Sequence, residues 1–374
     1  MMFYFVNFSY SPNTAPTNRA LSYIKALSEM GVPTCVVFFA PDKMFSRVKE
    51  SYPHIEFKYL WDKYYLGIPR IKKLSLRWYL KRFVRDLQSG DKVYVYGFPD
   101  LVVASSQRKD ISIFVERTEC DEVSFPCLIK QTTLTEFHNS CKNLSGIIFI
   151  SQALKDYYIE KGCCPDKVHV VNMVVDTTRF QGLKKQKTEP YVAYCGTASN
   201  NKDGVDQLIK AFAFVVRKHP QIKLYIIGST PSKQQKFDNF ALVKELGIEE
   251  KVFFTGMVSA TDMPQVLKNA EILALDRPNN QQAKYGFPTK LGEYLLTGNP
   301  VVITRVGDIP LFLKDGDSAL IAEPENPKDF SDKLCWAIEH PQESMIIGEK
   351  GKKVAETCFN YLVETEKLIS IINK

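Results

Sequence analysis

Residues 283–304, AKYGFPTKLGEYLLTGNPVVIT, place a glycine turn, one carboxylate and an apolar strand in an order that suits phosphate and sugar chemistry. The run reads as loop, helix, glycine stop and buried strand. Pro288 fits the first helical position, where a missing N–H costs nothing. Gly298 and Pro300 close the helix, and VVIT continues as a strand. A small-residue turn at Gly286 opens the helix and leaves free backbone N–H groups at the positive end of its dipole, a ready anion site. Glu293, about a turn further in, can accept hydrogen bonds from a sugar diol. A plain helix-surface carboxylate is the other reading, but its neighbours Leu291, Tyr294 and Leu295 are apolar and favour a partly shielded position. Together these residues outline a pocket for a phosphate linked to a ribose.

Three other stretches carry groups that could take part. In YVAYCGTASNNKDGVDQLIKAF a strand ends at Gly196, and a polar loop through Thr197 brings Lys202 into a helix at about Asp203. A lysine there would supply a point charge where a diphosphate docks and its bond breaks, although on these residues alone a solvated loop lysine is the stronger reading. In KVFFTGMV, Phe253 to Gly256 end a strand, and backbone groups around Phe254 could take the edge of a base, although alone the stretch is only a strand end. In FVERTECDE, Glu116 and Glu119 follow a strand and can orient an acceptor or a sugar. A charged loop end is an equal reading of that pair.

The elements that must position these groups alternate along the chain. FYFVNF is followed by a helix from about Thr17 to Met30, then TCVVFF, a basic helix, KVYVY and ISIFVE. A helix from about Gln131, then GIIFIS, the helix of SQALKDYYIEKG and KVHVV complete the first half. A polar, lysine-rich break at 182–190 (GLKKQKTEP) separates it from a second series that begins at YVAYCG. Strand–helix alternation predicts parallel sheets with helices on both faces, and ligands bind at the carboxyl ends of such strands. The expected domains are 1–182 and 183–354, with a final helix over 355–374.

Size and composition agree with two domains. At 374 residues the chain exceeds the roughly 250–300 that one core holds. A hydrophobic fraction of 45% and a charged fraction of 24% belong to an ordinary globular protein, not to a disordered chain. No apolar run reaches the ~18 residues of a membrane span. The opening MMFYFVNFSY lacks a basic segment and meets Asn7 and Ser9 early, so it reads as a strand and not as a signal peptide. Nine cysteines, with Cys163 and Cys164 adjacent and no metal-type spacing, read as reduced thiols of a cytoplasmic protein. His54, His138, His169, His219 and His340 also lack metal spacing. Asp315-Gly316-Asp317 spells an acid-x-acid pattern, but a polar turn accounts for it.

The net charge of +7 is unevenly spread. Residues 63–85, KYYLGIPRIKKLSLRWYLKRFVR, hold eight Lys or Arg and no acid. Lys73, Arg77, Lys81 and Arg85 form one ridge of a helix, beside an apolar stripe of Leu76, Leu80, Phe83 and Leu87. Such a basic-aromatic helix suits an anionic membrane surface or a lipid-linked substrate. A solvated face over a core stripe is the other reading. No nucleic-acid-binding module accompanies the patch.

Taken together, these segments resemble retaining glycosyltransferase family 4 (glycosyl transferases group 1), with the two-domain GT-B fold. The resemblance runs most strongly from 146 to 324. It is carried by SQALKDYYIEKG with KVHVVNMVVDTTRF, by GTASNNKDGVDQLIKAF, by GFPTKLGEYLLTGNPVV and by DGDSALIAEP. It implies an α/β fold of two Rossmann-like doubly wound domains facing across a cleft, with the final helix packed back on the first domain. It also implies transfer of a sugar from a nucleotide-sugar donor to a hydroxyl of a glycan or polyprenyl-linked oligosaccharide, with no metal or other cofactor. Lys202 matches the family's phosphate lysine and Glu293 its ribose-binding glutamate. Gly196, Thr197, Phe254, Tyr285, Gly286, Phe287, Pro288, Thr289, Lys290 and Leu291 fall along the donor site. Asn13, Thr14 and Ala15, in SPNTAPTNRA, replace the family's N-terminal glycine-rich loop.

The chain departs from the family elsewhere. Tyr285 stands where the family has a first glutamate, Thr197 and Ala198 where it often has an arginine, and VYVYGFPD lacks its histidine. A sugar-nucleotide epimerase on the same fold, or a non-catalytic nucleotide-binding subunit, fits the same pocket. The implied setting is surface-polysaccharide assembly, in the cytoplasm at the inner face of the plasma membrane.

Overall fold

The computed structural model describes residues 2–7, 14–41, 43, 45–61, 69–96, 108–124 and 142–374, with backbone alone for 69–77 and 124. Asn13, the helix expected from Gln131 and residues 63–68 of the basic segment lie outside the described residues, as do the side chains of Lys73, Leu76 and Arg77. The chain forms two compact units. One comprises Met1–Val174 with Tyr361–Lys374, the other Val175–Asn360.

The first unit is a parallel sheet of seven strands: β1 Phe3–Asn7, β2 Thr34–Phe38, β3 Ile55–Tyr59, β4 Lys92–Tyr96, β5 Ser112–Arg117, β6 Gly146–Phe149 and β7 Val168–Val170. Their order is β3-β2-β1-β4-β5-β6-β7. β2 is buried at all five positions, as expected of a strand covered on both faces. The helix Ala15–Glu29 starts two residues before the expected Thr17, with Pro16 in its first turn. The helix Pro69–Asp86 buries Leu80, Phe83 and Val84 and leaves Trp78 57% exposed. Lys81, Arg82 and Arg85 are also exposed, so the described part of the basic segment has one core face and one basic-aromatic face.

Polar side chains lie in the centre of this unit. Arg19, on the first helix, donates through Nε to Glu116 Oε1 at 2.6 Å and through Nη1 to the Asn172 carbonyl at 2.7 Å. Tyr23 and Tyr94 also donate to Glu116 Oε2. Asn172 N in turn donates to Glu364 Oε2 at 2.6 Å, on the helix Tyr361–Ile372. Glu116 was expected after a strand and open to ligand. It sits inside β5, 1% exposed, with Arg19 and two tyrosines on its carboxylate. A buried carboxylate must be paired and hydrogen-bonded, and that is what this residue's chemistry serves. Burial and the Glu116 charge hold the Tyr94 hydroxyl far above the usual tyrosine range.

The second unit is a six-stranded parallel sheet: β8 Tyr191–Cys195, β9 Lys223–Ile227, β10 Val252–Gly256, β11 Ile272–Leu275, β12 Val301–Thr304 and β13 Leu320–Ala322. Their order is β10-β9-β8-β11-β12-β13. The helix Val205–Lys218 buries Val205, Leu208, Ile209, Phe212 and Val215 at helical spacing. Chain direction along the sheet switches between β8 and β11, the place where doubly wound sheets bind ligands.

The unit boundary lies at 174/175 and again at 360/361, not at 182 and 354. The polar run at 182–190 is anchored along the second unit. Lys185 pairs with Glu271 at 2.7 Å, Gln186 N donates to Asn269 Oδ1 at 3.0 Å, and the Lys184 carbonyl accepts from Gln265. Its composition looked like a linker because its polar groups bond to partners far away in sequence.

Candidate active site

The loop after β8 is built by local rules. Gly196 has φ 147°, and a Cβ there would stand 2.3 Å from Lys290 Nζ. Only glycine combines that backbone with so close a lysine. Ser199 caps the one-turn helix Asn200–Asp203, accepting from Lys202 N at 3.1 Å. Gly204 follows with φ 61°, its Cβ position 1.9 Å from the Asp276 carbonyl oxygen. The switch point at β8 and β11 is therefore closed by backbone in direct contact.

Lys202 is exposed at this turn. The cation held in place is Lys290, at the start of the helix Lys290–Leu296. Its Nζ donates to Asp203 Oδ2 at 2.6 Å and to the Tyr194 hydroxyl at 2.9 Å. That hydroxyl also lies 2.7 Å from Asp203 Oδ2 and from the Thr197 carbonyl oxygen. Lysine has three N–H donors, and Asp203 and Tyr194 take two. Burial pulls the Lys290 ammonium below the usual lysine range, with Asp203 opposing it. Burial raises the Asp203 carboxyl, but Lys290 and the Tyr194 hydroxyl outweigh it and keep the group ionised.

Glu293 lies on the same helix and pairs with Arg179 Nη1. Arg179 belongs to the 3-10 turn Thr177–Phe180, which Asp176 caps by accepting from Thr178 N at 3.0 Å. Through Nη2 it donates to the Ala260 carbonyl at 3.0 Å, in the loop after β10. The Tyr294 hydroxyl is fixed to the backbone of Cys195, at the end of β8. Burial, and secondarily the charge of Glu293, push the Cys195 thiol up to about 12, so it stays protonated. The site thus brings together Gly196, Thr197, Lys290 and Glu293 from the sequence-derived set, and adds Arg179, Tyr194 and Asp203.

Several expected residues take other places. The helix begins at Lys290 after Thr289, so Pro288 precedes it and Leu291 N donates back to the Pro288 carbonyl at 3.0 Å. Gly286 has φ −85° and ends a separate turn, Gln281–Tyr285, capped by Asn280. It is not a left-handed glycine turn. With only seven residues, the helix Lys290–Leu296 offers a weak dipole, and the side chain of Lys290 is the stronger anion ligand. Phe287 is buried against Phe312 and Phe359, with ring centroids 5.6 and 5.4 Å away, and Leu291 is fully buried. Both are packing residues. Phe254 is half-buried with its ring 4.6 Å from Phe240, and Tyr285 is half-buried beside Lys284.

In the first unit, Thr14 and Ala15 are exposed at the start of the helix Ala15–Glu29, and Glu119 is half-buried after β5. The Asp315-Gly316-Asp317 turn is tied up structurally. Asp315 accepts from Ile321 N and pairs with Lys333, while Asp317 pairs with Lys350. Among the described residues no group of three or more His, Cys, Asp or Glu side chains is gathered as for a metal ion, and no helix is long and apolar enough to cross a membrane.

Asp276, after β11, carries a testable electrostatic consequence. Its side chain is buried, and its Oδ2 has no hydrogen-bond partner among the described residues. Burial, with Asp206 nearby, pushes it up to about 8. A carboxyl raised above its unfolded value of 3.8 stabilises fully at acidic pH and loses that contribution as pH rises towards 8. Asp276→Asn cannot ionise. At pH 8 the variant should be more stable than the parent chain by about 1–3 kcal/mol, a gap that closes near pH 4. Denaturant melts at the two pH values measure it, and equal stability at pH 8 would refute it.

Arg179 and Asp203 were not legible as site residues. Arg179 lies in the segment KVHVVNMVVDTTRF that carries part of the resemblance, but nothing in sequence pairs it with a residue 114 positions later.

Residues 175–354 match the family described as glycosyl transferases group 1. The chain is 24% identical over 224 residues to the D-inositol 3-phosphate glycosyltransferase of Corynebacterium glutamicum (strain R), covering 56% of this chain and 52% of that protein. It is 24% identical over 182 residues to the mannosylfructose-phosphate synthase of Agrobacterium fabrum (strain C58 / ATCC 33970), covering 47% and 39%. The chain spans about half or less of the length of these curated relatives. In fold it is similar to Anabaena Alr3699/HepE, crystallised in complex with UDP, with TM-score 0.77, 18% identity and 100% of both chains covered.

Proposed function

From a chain of GT-B fold whose second unit is a group 1 glycosyl transferase domain, we propose a retaining, family 4 glycosyltransferase that moves a sugar from a nucleotide-sugar donor to an acceptor hydroxyl. The observation that carries this reading is the ammonium of Lys290 fixed over the Gly196 turn, with Glu293 on the same helix. A cation over a glycine turn suits the diphosphate, and a carboxylate nearby suits the ribose diol. The third N–H of Lys290 serves a phosphate oxygen, and the exposed Lys202 adds a second charge. Charge growing on the departing diphosphate meets these preorganised donors. The acceptor hydroxyl attacks from the face the diphosphate leaves, and a phosphate oxygen takes its proton. No protein nucleophile and no metal enter this scheme. In the first unit, Glu119 is the residue it assigns to orienting the acceptor.

The helix Pro69–Asp86 supports one choice of acceptor class. Exposed Trp78 among Lys81, Arg82 and Arg85 suits an anionic lipid surface. A polyprenyl-linked glycan at the inner face of the plasma membrane, in surface-polysaccharide assembly, fits that chemistry. Anabaena Alr3699/HepE has also been crystallised with UDP-glucose, which makes a uridine donor the first to try. The test is a calorimetric screen of UDP, GDP, ADP and CMP, followed by turnover of the matching nucleotide sugar with and without anionic phospholipid vesicles. One nucleotide should bind, bind more weakly to Glu293→Ala, and support turnover that the vesicles raise. Binding of none would end the reading, and conversion of the donor without any acceptor would replace it with an epimerase.

A further inference from the structure

Arg179 is a cation between the helix that carries Glu293 and the loop that follows β10. One guanidinium nitrogen takes a Glu293 oxygen, and another donates to the Ala260 carbonyl at 3.0 Å. Its own backbone is fixed. Asp176 caps the turn Thr177–Phe180, and Phe180 is buried at its end. The guanidinium is planar and forked, so two contacts set its direction as well as its position. A glutamate on a helix surface ordinarily samples several rotamers, and holding one oxygen removes that freedom. A carboxylate has about four acceptor sites, so Arg179 leaves room on Glu293 for two hydroxyls.

We infer that Arg179 is the positioning residue of the nucleoside subsite, setting Glu293 for a cis-diol and so selecting ribonucleotides over deoxyribonucleotides. This rests on the donor reading above. Arg179 need not touch the nucleotide. It acts through Glu293 and, by the Ala260 carbonyl, keeps the β10 loop at a fixed distance from the donor helix. The division of labour in the second unit follows. Lys290, bonded to Asp203 and Tyr194, answers to the phosphates, and the Arg179–Glu293 pair answers to the ribose. The two subsites use separate charge pairs, so a change in one can be read without disturbing the other.

The test uses the whole chain and measures the Kd of UDP, GDP and ADP, each beside its 2′-deoxy form, and of pyrophosphate. In the parent chain the ribonucleotide should bind roughly tenfold or more tightly than its deoxy form, the fold-change of one charge-assisted hydrogen bond. In Arg179→Ala that ratio should fall towards one while pyrophosphate affinity holds. Arg179→Lys, which keeps the charge without the fork, should recover part of the ratio. An unchanged ratio in Arg179→Ala overturns the inference. So does an equal loss for every ligand including pyrophosphate, which marks a merely structural arginine. If no ribonucleoside diphosphate binds the parent chain, the donor reading itself fails and the inference with it.

Discussion

Lys290→Ala is expected to lower turnover about 10²–10³-fold, the usual effect of removing one preorganised donor from a developing anion. The Lys290–Asp203 pair gives this variant a second consequence. With the lysine gone, Asp203 stays buried beside Tyr194 without the cation bonded to it, and breaking a buried pair costs about 3–5 kcal/mol. Lost activity alone would therefore be ambiguous. The double variant Lys290→Ala with Asp203→Asn removes both charges. It should regain most of the stability in denaturant melts and none of the turnover. A double variant that recovers turnover would mean that Lys290 serves only the fold. Lys202→Ala keeps the held cation, so its turnover should fall less than that of Lys290→Ala.

Arg19→Ala is expected to destabilise the first unit by about 3–5 kcal/mol. Arg19 satisfies Glu116, the Tyr23 hydroxyl and two backbone carbonyls, those of Val171 and Asn172. Its removal leaves a carboxylate inside β5 among aromatic rings. Replacing both partners, as Arg19→Met with Glu116→Leu, should cost much less, because no charge is then buried unpaired. Urea titration followed by far-ultraviolet dichroism measures both variants. Equal losses would show that the pair's packing, not its charge, holds the unit. Glu116→Gln should lower stability while leaving kcat of the folded fraction near the parent value. A collapse of kcat there would restore Glu116 to the reaction.

The parallel sheets were legible because buried strands are apolar runs: YVAYC, KLYII and VVIT all lie where the pattern predicts. Glu293 and Lys290 were legible because they share one helix with a glycine stop. What the pattern could not carry was pairing at a distance. Glu116 looked functional because its partner, Arg19, lies 97 residues away. Glu293 looked solitary because Arg179 lies 114 residues before it. The boundary was misplaced for the same reason, since hydrophilicity at 182–190 is satisfied by Glu271, Asn269 and Gln265. Local propensity also misjudged the helix start: Pro288 is a good first residue, but the packing of Phe287 on Phe312 and Phe359 delays the helix to Lys290.

The helix Tyr361–Ile372 completes the first unit's core, yet all of 175–360 precedes it in the chain. Glu364 meets Asn172 across 192 residues, and the Tyr361 hydroxyl meets Glu29 across 332. On a ribosome adding roughly 5–20 residues per second, residues 2–174 emerge some tens of seconds before their last helix. The second unit, continuous in sequence, can finish folding in that interval. The half of the protein that is made first is therefore the half that matures last, and until then the surface awaiting Leu368 and Ile372 is open to chaperones.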